Sequence, residues 1–453
     1  MNLGRFYEQR NAGELNYLCC AVYFFILLSI GCFIRDIPGQ PMLLATVQNF
    51  MLPAEVTKLG DPTFFATGAI DIYQYGWIRP ENQWLVKLWP PGFMIIEGLI
   101  LKIFGINSPF ILILIVINSG LLALMLAFFE SKFRLLTAPL LAMLLPLIPL
   151  LFPVVRMFLL QPGGVILGEG LAIILFLLSM NFIQLSEDRR SEKYALFAGI
   201  LVAGSAYIRT QFEAIVLLLT LVAFGLNFIL FFILKRPIHA ERRGLYLLTL
   251  RSVLIALTAA HAAMLPWRIH NFQENSTRSF SWVQKLNNSN RTDQELINAG
   301  GGWIVEGKGN IACTLERNYC GNSDSAELYG VFFRHSSEWF MNKSEVFPKY
   351  WFSSLRNYTN VSYPNNNYDT AINALILCLT IVNPLMLLVL QRKPHSLGAS
   401  WHLTAMYAFY IAFFLFVHFE TRYFYALKIY TIFLTVQIFA SIATSGKLRP
   451  SSA

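Results

Sequence analysis

Charge is what this sequence is short of. Of its 453 residues only 13% are Asp, Glu, Lys or Arg, about half the roughly 25% found in soluble domains. That shortage excludes an ordinary cytosolic enzyme and a charge-rich tail that binds nucleic acid. The motifs of soluble enzymes are missing too. Glycines 300–302 and Gly307-Lys308-Gly309 lack the Ser/Thr and the strand-to-helix context of a P-loop, and neither G-x-S-x-G nor H-E-x-x-H occurs. Any substrate must then arrive already activated. No internal repeat is present, which counts against most secondary-transporter folds. Cysteine is scarce, with six in the chain.

What is there is apolar: 55% of residues belong to the hydrophobic class, in runs near the bilayer-crossing length. Ten spans are predicted, at 17–34, 107–129, 135–152, 165–185, 194–208, 212–234, 245–266, 371–390, 401–418 and 424–443. The fold class expected is an all-α polytopic membrane protein, a bundle of about ten transmembrane helices with two long outer-face loops. The first run is long, lacks a small-x-small cleavage site and reads as a retained anchor. Residues 92–105 are apolar but too short to cross, and read as an interfacial or half-inserted helix after Pro90-Pro91.

The net charge of +9 reports topology. Fifteen basic residues fall in the N-terminus, in loops 130–134, 186–193, 235–244 and 391–400, and in the tail, against seven acidic ones. Loop 267–370 holds ten of each. By the positive-inside rule both termini are cytoplasmic, and segments 35–106 and 267–370 lie outside. The chain divides into a membrane module at 1–266, which includes the 35–106 loop, an outer-face domain at 267–370, and C-terminal helices at 371–453. Both long loops are rich in Trp, Tyr and Phe. Cys313 and Cys320, six residues apart in the outer loop, suit a local disulfide in an oxidising compartment, with two free thiols as the alternative. No further Cys or suitably spaced His makes them a zinc pair.

Ionisable groups at span edges are costly, which makes them functional candidates. Glu97, Glu169, Glu213 and Glu420 qualify, with Lys87, Arg209, Arg268 and Arg422, and topology places all of them near the outer interface. Arg251 and Lys428 receive no role. Guanidinium groups converging at one depth could grip a lipid phosphate bidentately, or could anchor spans to head groups. Asp61 opens a segment with helical spacing at Ala66 and Ala69. It reads either as a helix N-cap before Pro62 or as a carboxylate placed to take a proton from an acceptor hydroxyl. Asp36 and Asp71 are alternatives.

Four stretches together resemble the GT-C superfamily of membrane glycosyltransferases, in particular the protein O-mannosyltransferases and the aminoarabinose transferase of lipid A. They are Asp61 with Phe65, Ala66 and Ala69; Lys87-Leu-Trp-Pro90-Pro91; Pro266-Trp267-Arg268-Ile-His270-Asn271; and Glu420-Thr-Arg422-Tyr423. Gly168-Glu169 and Tyr207-Ile-Arg209-Thr are also typical of the group. The resemblance implies an inverting transfer of a sugar from a polyprenyl-phosphate donor to an acceptor hydroxyl of a cell-envelope glycan, lipid or protein. Asp61 is then the general base. Lys87, Arg209, Arg268, His270 and Arg422 meet the donor phosphate, and Asp36, Asp71, Glu169, Glu420 and Tyr423 support the site or the acceptor. No cofactor and no metal is expected, and no nucleic acid partner. The sequence departs from the pattern at His270, where the family has Arg, and at Lys87, which stands three residues before the Pro pair.

Two other classes are weighed beside the enzyme: a transporter or flippase of a lipid-linked or anionic solute, and a ligase using a polyprenyl-diphosphate oligosaccharide. Six Asn-x-Ser/Thr sequons would suit an ER membrane, while the compact cytoplasmic loops favour a bacterial inner membrane.

Overall fold

A computed structural model describes residues 16–36, 41–50, 61–134, 138–228, 240–275, 305–306, 309–310, 315–316, 325–352, 367–390, 406–412, 414–415 and 424–447. The described chain is helical apart from two antiparallel two-residue strands, β1 (Val305–Glu306) and β2 (Gly309–Asn310). Four helical stretches, Phe110–Phe133, Glu169–Glu187, Leu250–Gln273 and Asn367–Met386, are long and apolar enough to cross a bilayer, which is compatible with a multi-pass membrane protein. Shorter apolar helices cover Tyr17–Phe33, Thr210–Gly225 and Tyr425–Val436. Predicted span 194–208 is a 17-residue helix, Glu192–Ile208, and 401–418 lies mostly outside the described residues.

In chain order the helices are α1 (Tyr17–Phe33), α2 (Asp61–Tyr75), α3 (Trp84–Leu88), α4 (Gly92–Phe104), α5 (Phe110–Phe133), α6 (Pro139–Leu144), α7 (Pro153–Leu159) and α8 (Pro162–Val165). They continue with α9 (Glu169–Arg189), α10 (Glu192–Ile208), α11 (Thr210–Phe228), α12 (Ala240–Asn275), α13 (Ser325–Arg334), α14 (Ser336–Trp351), α15 (Asn367–Leu390) and α16 (Tyr425–Lys447).

The segment expected to form one span at 135–152 is broken. After α6 the chain tightens into a 3₁₀ helix at Leu145–Leu151, and α7 leaves at a bend of 83°. Pro146, Pro149 and Pro153 explain the break: each removes a backbone donor and crowds the preceding turn. The buried Asn118 Nδ2 on α5 donates to the Leu159 carbonyl at 2.8 Å, satisfying an acceptor at the end of α7.

α12 also differs from the expectation of a span ending at 266, since it runs through Pro266 to Asn275. Burial of Trp267 and Asn271 on its last turns supplies packing that outweighs the lost hydrogen bond. Against α10 it makes a close crossing, where a Cβ at Gly199 would strike the Ala256 carbonyl and the Ala259 side chain.

Segment 35–106 is built round α2 and α4. A side chain at Gly68 would meet Met94, and one at Gly98 would meet Ile72. Both contacts advance together along the chain, so the two helices run the same way and their N-termini, Asp61 and Gly92, share one end. Gly92 in turn abuts the Tyr207 carbonyl at the end of α10. This places the start of α2 beside the α10–α11 junction, where Arg209 lies.

At the other side, α14 is pinned to the C-terminal helices. Trp339 Nε1 donates to the Leu415 carbonyl at 2.8 Å, and Trp351 Nε1 to the Asn373 carbonyl at 3.1 Å. Lys428, wholly buried on α16, donates to the Trp351 carbonyl at 2.8 Å and to Asn373 Oδ1 at 2.7 Å, with its ammonium over the Trp351 ring.

Candidate functional site

The site forms where α2, α4, α9 and the α10–α11 junction meet. α10 stops at Ile208, and Arg209 turns into an extended conformation (φ −144°, ψ 124°) before α11 begins at Thr210. That kink swings the guanidinium out of the helical register. On the other side, Gly168 takes a left-handed φ of 71° as the N-cap of α9, with the Phe93 ring where a Cβ would sit. It presents Glu169 in the first turn of α9, where the helix dipole favours a carboxylate.

Arg209 ties these pieces together. Its Nη2 donates to the Leu167 carbonyl at 2.5 Å and pairs with Glu169 at 3.0 Å, while Nη1 lies 3.8 Å from the Asp61 carboxylate. The guanidinium also rests over the Phe65 ring at 5.3 Å. One cation is thus shared by two carboxylates, and all three side chains keep a little exposure: 11% for Arg209, 15% for Asp61 and 9% for Glu169. Arg209 Nε is buried with no hydrogen-bond partner among the described residues, so one of its five N–H groups remains unspent.

The other carboxylates of this region are employed as ties. Asp36 receives Arg156 at both oxygens (2.9 and 3.0 Å) and Gln161 Nε2 at 2.6 Å. Asp71 accepts Arg79 Nε at 2.8 Å, the Arg79 amide at 3.1 Å and Asn82 Nδ2 at 2.8 Å. The hydrogen bond that Arg79 donates to Asp71, and the charges of Asp71 and Glu81 beside it, hold its guanidinium above the ordinary pKa. Glu97 is buried on α4, one turn beyond Phe93, and its Oε2 has no hydrogen-bond partner among the described residues.

Arg268 belongs to a second cluster, facing α11. Its Nε and Nη2 both reach Glu213 Oε1, at 3.1 and 3.0 Å, and its Nη1 lies 3.0 Å from His261 Nδ1. Arginine only donates, so His261 Nδ1 accepts and the ring proton sits on Nε2, which donates to Thr220 Oγ1 at 3.0 Å. Thr220 passes the series on to the Val216 carbonyl at 2.8 Å. His270, two residues beyond Arg268 and so on another face of α12, stacks on Trp267 at 4.6 Å. Trp267 meets Trp77, which follows α2, edge-on at 6.2 Å.

Of the residues singled out from the sequence, the structure therefore brings together Asp61, Glu169 and Arg209. Arg268 and His270 separate onto two faces, and Asp36 and Asp71 each sit in an ion pair of their own. Glu420, Arg422, Tyr423, Cys313, Cys320 and the Lys87 side chain lie outside the described residues. No group of three or more His, Cys, Asp or Glu suited to a metal occurs among the described residues. Sequence reading missed Arg156 as the partner of Asp36, and His261 with Thr220 as partners of Arg268. Only the two-turn spacing from His261 to Arg268 offered a signal, since the other contacts join residues far apart in the chain.

Comparison with protein-family models, curated proteins and solved structures finds no match to this chain.

Proposed function

We propose that this protein is a GT-C-like glycosyltransferase of about ten spans, acting on the outer face of a bacterial inner membrane with both termini cytoplasmic. It moves a sugar from a polyprenyl-phosphate donor to a hydroxyl of a cell-envelope acceptor. The observation that carries the reading is Arg209, which holds Asp61 and Glu169 together and keeps a buried Nε–H unspent.

In the proposed step the acceptor oxygen attacks the anomeric carbon from the side opposite the phosphate. A carbon–oxygen bond forms to the acceptor, and the bond from the anomeric carbon to the phosphate oxygen breaks with its electron pair. The acceptor proton passes to Asp61, and polyprenyl phosphate leaves. Glu169 is a positioning residue, fixing Arg209 so that Asp61 stays at the edge where an acceptor can enter. The unspent Nε–H of Arg209 is a donor suited to an oxygen of the departing phosphate. Lys87 and Arg422, carried by the family resemblance, would add to that charge balance.

The test is transfer from radiolabelled polyprenyl-phosphate sugars to envelope acceptors, comparing the wild-type protein with Asp61→Asn. Loss of a general base should lower the rate roughly 10²- to 10⁴-fold. Full activity in the variant would remove Asp61 from the mechanism. Flux of a solute without consumption of any lipid-phosphate sugar would establish a transporter instead.

A further inference from the structure

Beside Asp61 lies an aromatic ladder that runs from the interior to the surface. Phe93, buried on α4, meets Phe65 edge-on at 5.4 Å, and Phe65 meets Trp89 at 5.9 Å. Phe64 stacks on Trp89 at 5.3 Å and stands edge-on to Trp84 at the same distance. The last rung, Trp84 on α3, is 41% exposed although two rings brace it. Phe64 follows Asp61 by three residues on α2, so the two share a helical face, with Cβ atoms about 5–6 Å apart. The exposed ring of Trp84 on α3 is thus joined, through its edge-on contact with Phe64, to the turn of α2 that carries Asp61.

We infer that Trp84, braced by Phe64 and Trp89, is the stacking platform for a pyranose ring of a glycan acceptor, which it presents to Asp61. The inference rests on the reading of Asp61 as the base and narrows the acceptor from glycan, lipid or protein to a glycan. A sugar ring offers a face of C–H groups, slightly positive, to the negative face of an aromatic ring, and an edge of hydroxyls to a carboxylate. Rings for area and one or two polar groups for orientation are the usual furniture of a small-molecule site. A head-group anchor would need exposure alone. It would gain nothing from two bracing rings.

The experiment titrates lipid-free tetrasaccharides of glucose, mannose, galactose and N-acetylglucosamine against the full chain in nanodiscs. Binding is read by tryptophan fluorescence and by saturation transfer to the sugar, with no donor present. At least one tetrasaccharide should bind saturably, Trp84→Ala should weaken it about five- to tenfold, and Trp84→Phe should recover most of the loss. In the transfer assay Trp84→Ala should raise the acceptor KM and leave kcat nearly unchanged. No binding by the folded wild-type protein, or equal binding by Trp84→Ala, overturns the inference. So does a Trp84→Ala variant that loses only thermal stability in the nanodisc, as a membrane anchor would. The two readings fail separately. Trp84-dependent sugar binding without any transfer would sink the transferase and leave the platform standing, whereas transfer with an unchanged KM in Trp84→Ala would sink the platform alone.

Discussion

Two buried cations divide the labour in this molecule. Lys428, with no exposure, is held by a carbonyl, an amide oxygen and the Trp351 ring, and it fastens α14 to α15 and α16. Arg209, slightly open to the outside, is shared between the Asp61 and Glu169 carboxylates at the meeting of four elements. The first donates to two neutral acceptors on fixed helices, with the Asp369 carboxylate close enough to act on its charge, and serves as a pin. The second mediates between two ionised groups at an accessible edge, where a change in either carboxylate alters what the other feels. Burial alone is a poor guide to chemistry; accessibility, and the bridging of two carboxylates, set Arg209 apart.

Breaking the open cluster should have the largest effect on turnover. Asp61→Asn should reduce sugar transfer roughly 10²- to 10⁴-fold while the thermal midpoint in detergent moves little, because the side chain keeps its shape. Breaking the closed cluster should do the reverse. Lys428→Met strips the Trp351 carbonyl and Asn373 Oδ1 of a donor, which costs about 3 kcal/mol at about 1–3 kcal/mol per orphaned acceptor. Thermal unfolding should show the loss, with the surviving folded fraction keeping near-normal kcat.

Glu169→Gln sharpens the comparison from within the open cluster. It weakens one side of the Arg209 bridge without removing the hydrogen-bonding shape. Transfer should fall about tenfold, the worth of one charge-assisted hydrogen bond of about 1.5 kcal/mol. The loss should fall on kcat, with the acceptor KM unchanged. Restored kcat in Glu169→Asp would separate positioning from bulk stability.

The smallest effect is expected at a surface pair. Hydrogen bonding from Arg334, reinforced by the charges of Arg334 and His335, holds the Glu316 carboxyl below its ordinary 4.5. A depressed carboxylate adds stability that is fully present above that ordinary value and is lost as pH falls through the folded one. Amide exchange in α13 should therefore quicken modestly below about pH 4.5, with salt reducing the effect because the pair is exposed. Protection of α13 that does not change with acid would detach Glu316 from that helix.

Helical character was legible, because a long apolar run favours its own hydrogen-bonded form, but among the described residues four helices, or five if the bent pair counts as one span, are long and apolar enough to cross a bilayer, against the ten expected. Segment 135–152 shows the limit of that reading. Its hydrophobicity signals a span, but three prolines turn it into a bent α-3₁₀-α unit. α12 shows the opposite error, since Pro266 was taken as an end and the helix continues through it. At the site, Asp61, Glu169 and Arg209 could be nominated one by one from their positions at span edges. Nothing local said that Arg209 would choose Glu169 and Asp61, or that Arg268 would turn to Glu213 and His261. Asp36 and Asp71 stood as weaker alternatives to Asp61, and the structure gives each a close ion pair of its own, with Arg156 and Arg79.

By itself the sequence determined that this is an all-helical chain with bilayer-length apolar segments, and which few charges stand at their edges. Those properties are local, set by the composition and spacing of neighbouring residues. Tertiary structure decided which charges meet. The parallel packing of α2 on α4 brings Asp61 alongside the α10–α11 junction, and the left-handed Gly168 turns Glu169 toward the same point. Such pairing depends on helix register and close backbone approach across more than a hundred residues, and no local pattern encodes it.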